Sequence, residues 1–209
     1  MDCCRTAGAE PFTEKQARRD ARRLRRKGLD EWARRVADTV HPAGATVLEV
    51  GAGIGALTLE LLERGAIRAV DIELSPGYER VALQLAQEHG VADAVERRVL
   101  DFAQSADDLE PADVVVMHRV VCCTPDGVGV VRAAASRARR ELAFSFPRSG
   151  PGARVFARVA GLVARALGWE WRFYVHSPKA MIRAAEEEGL RQTRDERGFV
   201  WSIAAFERP

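Results

Sequence analysis

The chain has 209 residues, 47% of them hydrophobic and 30% charged, with a formal net charge of +2; this is the composition of one globular domain with a sizeable core, and it excludes a disordered chain. No stretch is apolar over the length needed to span a bilayer, and Met1-Asp2-Cys3-Cys4-Arg5 lacks the apolar run of a secretory signal, so a cytoplasmic location is expected. The small net charge argues against a dedicated nucleic-acid binder, although basic residues crowd positions 15–27.

Thr13 is placed to cap a helix over residues 13–27, Gly28 punctuates it, and a second helix is expected over 29–39. Lys15, Arg18, Arg19, Arg22, Arg23, Arg25, Arg26 and Lys27 all fall on the first helix. With Glu14 and Asp20 interspersed they read first as a solvated face, then as a contact for an anionic small substrate or a membrane surface. RNA comes last, because no aromatic side chains interleave with the arginines.

After the turn His41-Pro42-Ala43-Gly44, the pattern predicts a strand at 46–50, a helix at 56–63 closed by Gly65, a strand at 67–72, and a helix opened by Ser75-Pro76-Gly77 that reaches residue 89. Strands at 95–100 and 113–117 follow, the latter so apolar at Val114-Val115-Val116 that both faces must be buried. Next come a helix at 127–140, a strand at 142–146, a loop at 147–152 and an inserted amphipathic helix at 153–167. Behind that helix lies the aromatic run Trp169-Glu170-Trp171-Arg172-Phe173-Tyr174; a helix at 178–188 and paired strands at 191–195 and 199–206 around Gly198 close the pattern. The strand-helix alternation argues for an α/β fold with a mostly parallel sheet covered on both faces.

The most informative stretch is Val47-Leu48-Glu49-Val50-Gly51-Ala52-Gly53-Ile54-Gly55-Ala56-Leu57-Thr58, an apolar strand breaking into alternating glycines and then a helix. Such a turn lets backbone approach a ligand closely and presents the unpaired N–H groups of the helix start. A second apolar run ends in Asp71-Ile72-Glu73, about 20 residues on, where these folds place a ribose-binding carboxylate. A dinucleotide fingerprint wants its third glycine at position 56, and Ala56 leaves that reading open.

With Glu49 ahead of Gly51, Gly53 and Gly55, the chain resembles the class I S-adenosylmethionine (SAM)-dependent methyltransferases from about residue 45 to its C-terminal end. The resemblance implies a Rossmann-like methyltransferase fold: seven strands, mostly parallel, helices on both faces, and an antiparallel C-terminal hairpin. It implies one domain over 1–209, with a helical cap at 1–44 and a core at 45–209 that carries an inserted lid near 150–176. It also implies SAM as cofactor, held by Glu49, Gly51, Gly53, Gly55, Asp71, Glu73, Asp101 and Phe102. Alignment on Ser75-Pro76 favours Glu73 over Asp71 for the ribose, Asp101 matches the position that meets the adenine amino group, and Phe102 would pack on the ring. The plainer alternatives are surface carboxylates for 71 and 73 and a turn former for Asp101.

His118 and Arg119 fall where the family faces the transferable methyl, which makes them the catalytic candidates, with His118 as a general base or as a structural histidine. RNA adenine dimethyltransferases share a similar first motif but carry N-[LI]-P-[YF] after the fourth strand; His118-Arg119-Val120-Val121 departs from it, which disfavours base methylation. Cys122, Cys123, Trp171 and Tyr174 are the substrate-side candidates, the aromatics as a pocket wall or as packing beneath the lid. The vicinal pairs Cys3-Cys4 and Cys122-Cys123 fit no zinc pattern; they read as small buried hydrophobes or as ligands of a thiophilic ion, and no metal is assigned. The expected activity is methyl transfer to a small-molecule partner, the leading helix covering that substrate. The alternatives are RNA methylation, metalloid-linked methylation through the cysteines, and a non-catalytic SAM-binding subunit.

Overall fold

A computed structural model describes residues 12–150, 159, 162, 163 and 173–209; of the helix expected at 153–167 only Val159, Leu162 and Val163 are described, all helical, and Cys3, Cys4, Trp169 and Trp171 lie outside the described residues. Seven strands, β1 (Thr46–Val50), β2 (Arg68–Glu73), β3 (Val95–Val99), β4 (Ala112–Met117), β5 (Ala138–Pro147), β6 (Arg191–Arg197) and β7 (Trp201–Glu207), form one sheet in the order β3-β2-β1-β4-β5-β7-β6. Pairing is parallel from β3 through β5, and β7 then runs antiparallel between β5 and β6. The order reverses between β1 and β4, and the strand ends beside that reversal open the crevice where α/β sheets hold ligands.

The described helices are α1 (Glu14–Lys27), α2 (Glu31–Ala37), α3 (Ala56–Glu63), α4 (Glu79–Glu88), α5 (Phe102–Ser105), α6 (Gly127–Arg137) and α7 (Pro178–Glu187). Alternation along the central strands sorts them onto two faces. Val47, Val114 and Val116 pack with Val36 of α2 and Leu57 and Leu61 of α3. Leu48, Val115 and Met117 pack with Val131 and Ala134 of α6 and Met181 of α7. α1 stands apart on α4, its buried Ala17 and Ala21 meeting Val81, Leu85 and Tyr78; small side chains there let the helices approach while the arginines stay in solvent. Among the described residues, no helix is long and apolar enough to cross a membrane.

Several boundaries differ from the sequence expectation by a few residues, and three of the differences have a plain local reason. α2 starts at Glu31 because the Asp30 side chain accepts from Trp32 N, 3.1 Å away, and caps it. α4 is preceded by a 3-10 turn, Pro76–Tyr78, which Ser75 opens by accepting from Gly77 N. β5 begins at Ala138 rather than at 142, where Ala138 pairs with Ala112 ahead of a register shift in β4; Arg139 and Arg140 are strand residues facing solvent, not the end of a helix.

Candidate cofactor and acceptor site

A cavity of about 500 Å³ lies at the C-terminal ends of β1, β2 and β4. Its floor is the glycine turn. Gly51 N and Ala52 N donate to Ile72 O of β2 at 2.8 and 3.1 Å, which folds the turn back toward the neighbouring strand. Gly51 has φ +71°, and a Cβ there would come within 2.5 Å of Val120 Cγ2, so only glycine fits.

Glu73, at the end of β2, is fixed by two backbone donors: Gly53 N to Oε2 at 2.7 Å and Ser75 N to Oε1 at 2.9 Å. Each oxygen keeps an acceptor site, and the carboxylate lines the cavity. Burial raises its pKa against the pull of those two N–H groups and of Arg97. Asp101 caps α5, accepting from Ala103 N at 3.1 Å and Gln104 Nε2 at 2.6 Å, and with the buried Phe102 it forms another wall. Glu49 reaches the cavity edge, but Oε2 is taken by Thr58 N at 2.8 Å and Thr58 Oγ1 at 2.7 Å, so it anchors the first turn of α3.

Asp71 and Gly55 do not line this cavity, contrary to the expectation that they hold cofactor. Asp71 shares the period of Glu73, but the start of α3 covers it: its carboxylate accepts from Thr58 Oγ1 at 2.5 Å and from Arg97 Nη1 at 2.8 Å, and it is 1% exposed. A Cβ on Gly55 would sit 3.0 Å from Asp71 Oδ2, which places that glycine against the same buried network. Arg97, also buried, reaches on to Glu79 and to Gly53 O at 2.9 Å each.

The other end of the cavity belongs to the residues after β4. Arg119 is the one non-glycine residue with positive φ (60°) among the described residues. Its N–H donates to Ser145 Oγ at 3.0 Å, and its guanidinium stacks over Trp201 at 5.0 Å. Ser145 is fully buried, and its hydroxyl hydrogen has His118 Nδ1, 3.0 Å away, as acceptor. With Ser145 donating to Nδ1, the arrangement that also turns an N–H toward Asp30, neutral His118 carries its proton on Nε2, and burial lowers its pKa and favours the neutral form. The ring offers a donor at Nε2, not the lone pair a general base needs.

Asp30, which the sequence did not single out, meets both residues: Oδ1 is 3.1 Å from Arg119 Nη2 and 3.6 Å from His118 Nε2. These contacts hold its pKa well below the carboxylate range, the approach of the His118 ring contributing most. Its one sequence signal is the capping position ahead of a helix.

Cys123 lines the cavity, whereas Cys122 is buried behind it with its thiol 3.3 Å from Arg119 O; the two sulfurs are 3.8 Å apart. The neighbouring thiol and burial push the Cys122 pKa up, which keeps it an inert thiol. Tyr174 is not on the cavity wall: its N–H donates to Cys122 O at 2.8 Å and its ring stacks on His176. The roof also differs from expectation. Gln16, Asp20 and Leu24 of α1 cover the cavity beside Tyr78, and Ser75 Oγ donates to Phe12 O at 2.7 Å. α1 thus sits over the Glu73 end and reaches the His118 end through Arg23, 3.5 Å from Asp30, where Leu29, Asp30 and Ala33 complete the cover.

Residues 47–142 match a family model described as a methyltransferase domain. The ribosomal protein L11 methyltransferase of Enterobacter sp. (strain 638) is 36% identical over 81 residues, 39% of this chain and 27% of that protein. The arginine N(omega)-methyltransferase of Streptomyces achromogenes subsp. streptozoticus is 34% identical over 86 residues, 39% of this chain and 23% of that protein. The matched part thus spans about a quarter of each relative's length. Among solved structures, magnesium protoporphyrin IX methyltransferase from Synechocystis PCC 6803 with bound S-adenosylhomocysteine (SAH) superposes with TM-score 0.64 at 22% identity, covering 94% of this chain and 83% of that one. An O-methyltransferase family protein from Burkholderia thailandensis superposes with TM-score 0.73 at 14% identity, covering 99% and 66%. Residues 47–142, under half of the chain, thus resemble a methyltransferase domain, and the strand order and terminal hairpin are those of the class I SAM-dependent methyltransferase fold.

Proposed function

We propose that the protein is an enzyme that transfers a methyl group to a small-molecule acceptor. The observation that carries this reading is one continuous cavity joining the Glu73–Asp101 end to the His118–Arg119 end beneath α1 and α2. SAM supplies a sulfonium-activated methyl group when bound. The residues present fit it: Glu73 has free acceptor sites for ribose hydroxyls, Asp101 for an amino group, Leu100 and Phe102 offer apolar wall, and the glycine turn leaves room for close backbone approach.

Two chemically different ends in one pocket supply positioning, which accounts for much of the rate in a transfer that needs no covalent enzyme intermediate. His118 and Arg119 contribute donors there and orient the acceptor. Asp30 lies against both. Roofing by Asp20, Arg23 and Asp30 favours a compact acceptor over an RNA base or a protein loop. Thiols at Cys122 and Cys123, rather than disulfide sulfurs, fit a reducing compartment such as the cytoplasm.

One solved structure of this fold is that of a [4+2]-cyclase, so the fold alone does not fix the reaction. Two measurements do. Calorimetry should show SAM and SAH binding and no NAD binding. Protein incubated with methyl-labelled SAM and a fractionated metabolite extract should move label into a low-mass product; cofactor binding without any labelled product supports the non-catalytic subunit instead.

A further inference from the structure

His118 Nε2 and Arg119 Nε are both buried and lack a hydrogen-bond partner among the described residues. Buried donors without acceptors are rare because each forfeits its hydration, and two on consecutive residues lining one cavity point to an acceptor that arrives with a ligand. The ligand must bring lone pairs, since His118 Nε2 bears hydrogen once Ser145 has claimed Nδ1 and a guanidinium only donates.

The site already holds such a group imperfectly. Asp30 Oδ1 bridges Arg119 Nη2 at 3.1 Å and His118 Nε2 at 3.6 Å, the latter beyond hydrogen-bond length. Arg119 is held at positive φ, a strain that persists where the surroundings over-determine it, here the Ser145 bond and the Trp201 ring. Arg23 Nη2, 3.5 Å from Asp30 Oδ2, stands ready to receive that carboxylate when it moves.

Building on the methyltransferase reading, we infer that His118 and Arg119 form an anion subsite for an acceptor bearing a carboxylate, and that Asp30 is its internal stand-in, displaced when the acceptor binds. Trp201 beneath the guanidinium suits a flat, conjugated carboxylate.

The test uses the full chain saturated with SAH, so that the cofactor's own carboxylate is already in place, and calorimetric titration with benzoate and its neutral isostere benzamide. Wild type should bind benzoate at least about tenfold more tightly than benzamide, the range of a charge-assisted pair. Arg119→Gln should erase that preference with SAH affinity kept within about threefold, and Arg119→Lys should retain only part of it because the planar fork is lost. Asp30→Asn, which keeps a good helix cap, should bind benzoate several-fold more tightly. Equal affinity for benzoate and benzamide, or weaker benzoate binding in Asp30→Asn, overturns the subsite. A parallel loss of SAH in Arg119→Gln assigns the donors to the cofactor's carboxylate and overturns it too. Failure of wild type to bind SAH at all overturns the methyltransferase reading itself.

Discussion

Glu49 and Asp71 are register partners on β1 and β2 and share a single hydroxyl: Thr58 Oγ1 lies 2.7 Å from Glu49 Oε2 and 2.5 Å from Asp71 Oδ1. One hydroxyl carries one hydrogen, so two short oxygen–oxygen contacts require a second proton on a carboxyl. Asp71 faces Arg97, which favours its charged form, and the proton belongs to Glu49. Burial and the Asp71 charge push the Glu49 pKa up to about 8.

A pH dependence of stability follows. The folded state binds a proton that the unfolded chain has released above its ordinary carboxylate pKa, so Glu49 favours folding at low pH and this contribution is lost as the pH rises through about 8. The thermal midpoint should decline as the pH rises from about 5 to about 8, and Glu49→Gln should flatten the upper part of that slope. A midpoint that rises across the same window would show that neither carboxyl holds a proton.

Arg97→Ala should destabilise the fold by about 3–5 kcal/mol, the usual cost of breaking a buried ion pair on one side. It leaves Asp71 buried without its cation and Gly53 O without its guanidinium donor. Urea denaturation measures the loss. SAH affinity should fall as well, because the glycine turn is then untethered.

Glu73→Ala should weaken SAH binding about 10- to 100-fold by calorimetry, the value of charge-assisted bonds to two hydroxyls. Asp71→Ala should act chiefly on stability, since its carboxylate does not reach the cavity. An affinity loss in Asp71→Ala that exceeds its stability loss would place the ribose beneath α3.

Removal of residues 1–28 should reduce SAH affinity at least about tenfold, because it opens the Glu73 end to water and weakens the charge-assisted contacts made there. Phe12 O holds Ser75, two residues from Glu73, and Gln16, Asp20 and Leu24 roof the same end. Unchanged SAH affinity with lost turnover would move α1 to the acceptor side.

Much of this architecture could be read from the sequence where local chemistry decides the outcome. The apolar run into Gly51 and Gly53 specified strand and turn, and Val114 to Val116 specified a strand buried on both faces. Period-two spacing put Asp71 and Glu73 on one strand face but could not show that α3 roofs the first and spares the second. Asp30 was illegible for a similar reason: it meets Arg119 across 89 residues of chain, and in sequence it is only a helix cap. Arg139 and Arg140 read as the tail of a helix because exposed arginines suit helix ends and strand ends alike.

The hairpin turn at Gly198 is packed against Trp32: a Cβ there would collide with the indole, and Gly198 N donates to Trp201 O at 2.9 Å. Trp32 follows the Asp30 cap by two residues, and Trp201 underlies Arg119. The α2 cap and the β6–β7 turn are therefore one mechanical unit drawn from opposite ends of the chain. Anyone retargeting the pocket to another acceptor should graft residues 28–36 and 197–202 together as a cassette, since exchanging either alone would leave a tryptophan or a glycine facing the wrong neighbour.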